Sequence, residues 1–475
     1  MSTSLFSGEL QDVVIVGGGV IGSAIAYFLA AEHGVRATVI ERDLTYAKAS
    51  SALSASSIRQ QFSTPANIAL SRWSFEFLQR AHETLAVPGD APPLLSLEER
   101  GYLYLATEPG AATLRENHAI QIANGADIRW LDRPALSAKF PWLACDDIVA
   151  GTWGASGEGW FDGPALLQAF RRKAISLGVR YVNDEVLGVQ LQAVSPYVIG
   201  RTSNNQFISK NIVLATGAHV NKAMGDLAVS LPVSAKKRDV FVVESPAQLA
   251  DCPLVIDPSG VWFRPEGRYF ICGAPPRQRD GMPYDPDDAP LDDIDYGLFD
   301  EVIWPALAAR VPQFEALKVR SAWAGYYEMN AFDHNGLVGT LPGFDNIFVA
   351  SGFSGHGMQH APAVGQAMAR RVMGHAAPEI DAFTPARVGR GETLIKSREQ
   401  RALDWDRVRN RQMRGIAGLW RAFWMQRRPA GRKFTTGPKS KDAMLDGHLT
   451  SVSLVTGETN AAPHELRRAF PVNAG

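Results

Sequence analysis

The sequence predicts an α/β protein built on a Rossmann-like dinucleotide-binding domain. Three stretches carry that expectation: a strand, glycine loop and helix over residues 12–32, a second such unit over 346–373, and a buried strand ending in Thr216-Gly217 between them. The chain has 475 residues, a formal net charge of −1 and an apolar fraction of 46%. That length supports two or three domains around a sizeable core, and that composition excludes a largely disordered chain. Near-neutrality leaves no global field for drawing in nucleic acid or an anionic membrane, so function is sought in local patterns. The three cysteines, Cys145, Cys252 and Cys272, are too far apart for a metal motif and fit a reducing compartment.

The first unit opens with the β-branched run Asp12–Val16, the pattern of a buried parallel strand. Gly17-Gly18-Gly19-Val20-Ile21-Gly22 then satisfies GxGxxG, an apolar helix runs from Ser23 to about Glu32, and a second strand, Arg36–Ile40, leads into Glu41-Arg42. Gly17 permits the tight turn, Gly19 lets the backbone approach a diphosphate, and Gly22 lets helix and strand pack closely. The helix N-terminus favours the phosphates, and Glu41, nineteen residues beyond Gly22, can accept hydrogen bonds from a ribose diol. An acid at that point selects against a 2′-phosphate, leaving NAD and FAD. The stretch Val13–Ala31 is long enough to span a bilayer, but its three consecutive glycines and the absence of a basic flank predict neither a signal peptide nor a membrane helix. A cytoplasmic protein is expected.

The second unit pairs the strand Asn346–Ala350 with the turn Gly352-Phe353-Ser354-Gly355-His356-Gly357-Met358 and a helix from Ala361 to about Met373. Open amides and a helix N-terminus at such a turn suit the electron-rich edge of a reduced flavin. The strand Asn211–Ala215, ending in Thr216-Gly217, is expected beside the first glycine loop.

The order GGGVIG, ER, LATGA, AGYYEMNAFDHNGLVG and ASGFSGHGMQHAPAVG resembles the D-amino-acid oxidase family of FAD enzymes, which includes glycine oxidase and the sarcosine oxidases and dehydrogenases. The resemblance covers about residues 10–375 and implies FAD, oxidation of a C–N bond in an amine or amino acid, and a substrate domain interleaved with the FAD domain. The implied boundaries are 10–89, 148–227 and 326–385 for the FAD domain and 90–147 and 228–325 for an α+β substrate domain on an antiparallel sheet. The strand-like pieces Gly101–Leu105, Arg238–Val243 and Tyr269–Cys272 fit that sheet, and Val186 falls where the family contacts adenine. The resemblance also admits two other readings, a flavoprotein serving as assembly factor for a respiratory complex and a 2-hydroxy-acid dehydrogenase.

Hydride transfer to a flavin needs an oriented substrate more than acid–base machinery. The resemblance places Ser50 and Ser51 against the flavin and matches Arg59 to an arginine that binds the substrate carboxylate, a task suited to its planar fork. Arg264 is a second candidate anchor, Tyr326 and Tyr327 are candidate walls of the substrate cavity, and His356 is placed at the flavin edge. Neither family attachment site is matched, since no cysteine occurs in Ala324–Tyr327 and no histidine in Ala49–Arg59, so FAD is expected to be noncovalent. Ile271 stands where an oxidase lysine activates oxygen, which favours a dehydrogenase, and Gln359 stands where that oxidase has another lysine. The expected partners are a small amine or amino acid and an electron acceptor, a quinone or a redox protein.

A basic helical extension, 388–475, lies beyond the resemblance. Residues 390–441 hold fifteen Lys and Arg against four acids. Ile416, Leu419, Trp420, Phe423 and Trp424 fall at helical spacing among Arg414, Arg421, Arg427 and Arg428, the pattern of an amphipathic helix that rests on a membrane surface or packs back on the enzyme.

Overall fold

The computed structural model describes residues 10–394, apart from 192–196, 226 and 228. The basic helix expected near 414–428 lies outside the described residues. Leu10–Val16 pairs in parallel with Gln206–Leu214 on one side and with Thr38–Glu41 on the other, so Ile15 sits between Val213 and Val39. The full order is Leu337–Thr340, Ile347–Ser351, Gln206–Leu214, Leu10–Val16, Thr38–Glu41, Arg180–Asn183. The sheet is parallel except at Leu337–Thr340 and where the hairpin Val186–Leu191/Val198–Thr202 joins Gln206–Leu214. Val13, Ile15 and Val39 pack under the helices Val20–His33, Pro65–Gln79, Gly163–Ser176 and Gly357–Val372, while Val14, Val16 and Ile40 pack on the opposite face. Asp162 caps the third of these helices as expected, accepting the Ala165 N–H at 2.9 Å. The stretch Val13–Ala31 is thus a strand, a turn and the interior of a helix. Among the described residues, no helix is long and apolar enough to cross a membrane.

The second sheet has the order Lys318–Asn330, Val233–Glu244, Tyr269–Gly273, Trp262–Glu266, Leu254–Ile256, Tyr102–Ala106, Ala150–Gly154, Ile128–Asp132. One face, with Leu103, Leu105, Val255 and Phe263, forms its own core. Three expectations are corrected here. The sheet is mixed, because Leu254–Ile256 runs parallel to Tyr102–Ala106; these strands come from different chain segments, so no hairpin fixes their direction. Ala150–Gly154, placed with the FAD domain from sequence, pairs with Tyr102–Ala106 and Ile128–Asp132. Lys318–Asn330 runs across the expected boundary at 325/326, because Val233–Glu244 pairs along it as far as Asn330. The acidic stretch 280–295 is a loop strapped to this sheet by Arg238–Asp285 and Lys236–Asp287 ion pairs and closed on itself by Arg279–Asp293.

Candidate active site

The two sheets enclose one continuous cleft of about 530 Å³, and both glycine loops open onto it. At the first loop, Gly17 has φ +95°, and a Cβ there would lie 2.4 Å from the Ala215 carbonyl oxygen. The strand therefore turns into the helix Val20–His33 hard against the Ala215–Gly217 turn. Gly22 meets the backbone of Gly17 just as closely, with 1.9 Å between its hypothetical Cβ and the Gly17 oxygen. Glu41, at the end of its strand, accepts the Gly18 N–H on Oε2 at 2.8 Å and the Asp43 N–H on Oε1 at 3.0 Å, leaving further lone pairs for a ribose. Ser51 reaches the same helix N-terminus, its Oγ accepting the Val20 N–H at 3.0 Å.

The second loop folds differently from the sequence expectation. Its helix begins at Gly357, four residues early, and accommodates Pro362. The first i→i−4 bond is His360 N–H to the His356 oxygen, so the amides of Gly357, Met358 and Gln359 lie at the open, positive end of the helix, where all three residues line the cleft. Behind them stands a residue that sequence reading missed. Glu328 lines the cleft and accepts the Gly352 N–H at 3.0 Å and the Ser351 hydroxyl at 3.3 Å, while Ser351 also donates to the Gly217 oxygen at 2.7 Å. Burial raises the Glu328 carboxyl to about 7 against these hydrogen bonds.

Arg59 enters the cleft from the Ser-rich segment. Its guanidinium donates to the Gln61 carbonyl and to His356 Nε2 at 3.1 Å, and it covers the Phe62 ring at 3.9 Å. None of these partners is an acid, and among the described residues Arg59 makes no ion pair. Burial, reinforced by Arg59, His360 and His334, holds the His356 imidazole well below its usual pKa, so it stays neutral and accepts. Two side chains fix the Arg59 backbone. Gln359 Oε1 accepts the Arg59 N–H at 2.8 Å. Glu158, also missed from sequence, is fully buried and accepts four donors: the amides of Gln60 (2.6 Å), Gln61 (3.0 Å) and Tyr102 (3.1 Å), and the Gln61 side chain (2.9 Å). The one sequence signal for Glu158 is its flanking by Gly157 and Gly159, whose φ values are +74° and +158°.

Of the remaining expected residues, Gly19, Val20, Ile21, Arg42, Ser50, Val186, Thr216 and Gly217 line the cleft, as do Ser354, Gly355 and Tyr327. Three expectations are corrected. Arg264 is fully buried outside the cleft lining, paired with Glu266 and donating to the Ala55 oxygen at 2.7 Å, so it braces the Ser-rich segment and is no substrate anchor. Tyr326 and Tyr327 point to opposite sides of their strand. Both line the cleft; the Tyr326 hydroxyl donates to the Ala289 carbonyl at 2.8 Å, tying down the 280–295 loop, while Tyr327 packs over Gly355. Phe353 turns into the main core at 1% exposure, and Gly352 backs onto Val233, so neither reaches the cleft. Gly22 likewise acts only through packing.

The lining fits a dinucleotide with a redox ring. Thr216 Oγ1 and the Tyr46 hydroxyl are buried at the cleft without a protein partner, and the open amide ends of two helices converge on it. Glu41 would hold the ribose, the Gly17–Ile21 backbone the diphosphate, and the Ser354–Met358 segment the ring. Among the described residues, no group of three or more His, Cys, Asp or Glu side chains is placed to hold a metal. A cleft of this kind defines a dinucleotide-dependent oxidoreductase.

Comparison with known proteins narrows the class. The family model for FAD dependent oxidoreductases (DAO) matches residues 12–371. FAD-dependent oxidoreductase domain-containing protein 1 of Xenopus laevis is 38% identical over 426 residues, spanning 82% of this chain and 84% of its own. The chain belongs to the DAO family of FAD-dependent oxidoreductases, and FAD is its cofactor. It is also similar to glycine oxidase of Geobacillus kaustophilus, at 26% identity over 366 residues covering 74% of this chain and 90% of that protein. Among solved structures, L-proline dehydrogenase from P. horikoshii matches with a TM-score of 0.70 at 25% identity, covering 81% of this chain and 99% of that one.

Proposed function

We propose that the protein oxidises the C–N bond of an amino acid or related amine, a secondary (N-substituted) or D-amino acid, by hydride loss from the carbon alpha to nitrogen. Bound FAD would supply the two-electron acceptor for that hydride, at its N5. The imine left behind adds water and separates into a carbonyl compound and an amine. The observation that carries this reading is Arg59, a cation facing the cleft that, among the described residues, makes no ion pair. The Gln61 carbonyl and His356, held neutral, each engage one terminal nitrogen without adding charge, and the remaining N–H groups can take a substrate carboxylate. With no acid paired to Arg59 among the described residues, the site favours the neutral amine that hydride loss requires. Noncovalent FAD is supported by the absence of cysteine in Ala324–Tyr327 and by the burial of all three cysteines elsewhere. A dehydrogenase is favoured over an oxidase because Ile271, buried beside Arg264, puts no positive charge on the cleft to stabilise reduced oxygen. Electrons would then pass to a quinone or redox protein, with the basic segment 390–441 as a contact for an anionic membrane or for that partner.

The test is an anaerobic titration of the purified yellow protein with amino acids, N-methyl amino acids and 2-hydroxy acids. Bleaching by a member of the first two groups is expected, with Arg59→Ala raising the half-saturating concentration roughly 100-fold for the loss of a bidentate charged pair worth about 3 kcal/mol. Arg59→Lys keeps the charge but not the fork and should fall between. Bleaching by 2-hydroxy acids alone, or an Arg59→Ala protein saturating like the wild type, would refute the reading.

A further inference from the structure

The second sheet has two unlike faces: one packs on its own core, and on the other Tyr102, Tyr104 and Leu254 pack with Trp160 at the edge of the cleft. Tyr102 pairs with Leu254, Tyr104 with Ile256, and Ile256 with Trp262, so these five side chains share a face, the one opposite Leu103, Val255 and Phe263. All five line the cleft. They form a continuous wall whose only polar groups are two phenol hydroxyls and an indole N–H, and burial keeps both phenols protonated. The wall is built rather than incidental. A Cβ on Gly273 would lie 2.9 Å from the Trp262 ring, so glycine there lets the indole lie across its neighbouring strand. Tyr102 and Tyr104 stack at 6.2 Å, and the Arg59 guanidinium stands 5.8 Å from the Tyr104 ring.

A carboxylate anchor beside an uncharged aromatic and aliphatic wall selects on the rest of the substrate. Glycine or sarcosine, held on Arg59, would leave the half-buried Ile256 and Trp262 with nothing packed on their cleft side. We propose that the preferred substrate carries a large aliphatic or aromatic group, packed on Tyr102, Tyr104, Leu254, Ile256 and Trp262 while Arg59 takes the carboxylate. This rests on the role of Arg59 given above and adds the substrate class.

The experiment uses the FAD-loaded protein and two readouts. In anaerobic reduction, racemic N-methylphenylalanine and N-methylleucine should outperform sarcosine in the bimolecular rate by about tenfold or more, the discrimination apolar pockets reach. In flavin absorbance titrations, phenylacetate should bind at least about tenfold more tightly than acetate. Trp262→Ala should shrink both ratios to about threefold or less, with Ile256→Ala as the second variant should the first fail to hold FAD. Equal or better use of sarcosine, or ratios that survive both substitutions, would overturn the proposal. Failure of every amine to reduce the flavin, with the phenylacetate preference present and lost in Trp262→Ala, would remove the oxidation reading and leave the wall intact. Loss of both preferences in the wild type would remove the wall.

Discussion

Glu328 gives the sharpest handle on the flavin end of the cleft. Its carboxyl is raised from the ordinary 4.5 to about 7, first by burial and against hydrogen bonds from Gly352 and Ser351. A folded-state value above the unfolded one means that the native protein holds this proton more tightly. The associated stability is full below about pH 4.5 and is lost as pH climbs through 7. The whole shift corresponds to about 3 kcal/mol, of which about 1.3 kcal/mol falls between pH 6 and pH 8. Glu328→Gln mimics the protonated form and keeps an oxygen for the Gly352 N–H. Relative to wild type, the variant should therefore gain about 1.3 kcal/mol across that interval, since all other titrating groups are shared and cancel. Urea unfolding of the two proteins at pH 6, 7 and 8, in excess FAD, reads the gap directly. A gap that stays constant with pH, or moves in favour of wild type as pH rises, would refute a proton held on this carboxyl.

Three further outcomes are expected. Glu158→Gln turns one of two doubly accepting oxygens into a donor facing buried amides; a loss of about 2–4 kcal/mol is expected in urea unfolding, together with a half-saturating concentration for carboxylate substrates that rises more than the limiting rate falls, because Arg59 loses its footing. Arg387→Ala strands Asp333, whose two oxygens take the guanidinium at 2.9 and 3.0 Å with both side chains nearly inaccessible; thermal and urea unfolding should show a loss of about 3–5 kcal/mol, and an unchanged midpoint would contradict the pairing. Gly17→Ala forces a methyl group into the Ala215 carbonyl at a positive φ, and equilibrium dialysis should show FAD held at least about tenfold more weakly.

The dinucleotide half was legible because its signals are local. A β-branched run, a glycine turn and an acid at a fixed distance are set by one strand–helix–strand unit, and the structure places Gly17 and Glu41 as that spacing requires. The second strand–glycine turn–helix unit was legible in the same way, and the resemblance added the position of Arg59. What escaped were groups defined by distant partners. Glu158 is one acid in Ser156–Trp160, and its significance arises only when the amides of Gln60, Gln61 and Tyr102 arrive from elsewhere in the chain. Glu328 depends in the same way on the turn at Ser351-Gly352. Arg264 misled for the converse reason: an arginine near a strand end reads as available to a substrate, but the Ala55 carbonyl and Glu266 satisfy it inside the protein. The helix expected from Ala361 starts at Gly357, where the glycine loop itself supplies the first turn, and it continues through Pro362.

The threading of the chain through its two sheets has a consequence for how such a protein can be made and lost. The polypeptide leaves the first sheet before Tyr102, returns after Gly154, departs again by Val233 and comes back at Leu337. The cleft runs between the two sheets, so the nucleotide seat and the aromatic wall share one seam. No cut along that seam releases a self-sufficient half, and no partial synthesis up to Glu244 yields a finished first sheet, since Ile347–Ser351 has yet to be supplied. Ribosome-bound chains must therefore wait, with Ile212 and Leu214 uncovered, for a strand made more than a hundred residues later, and a ligand that clasps both glycine loops would act as the final fastening of the whole molecule.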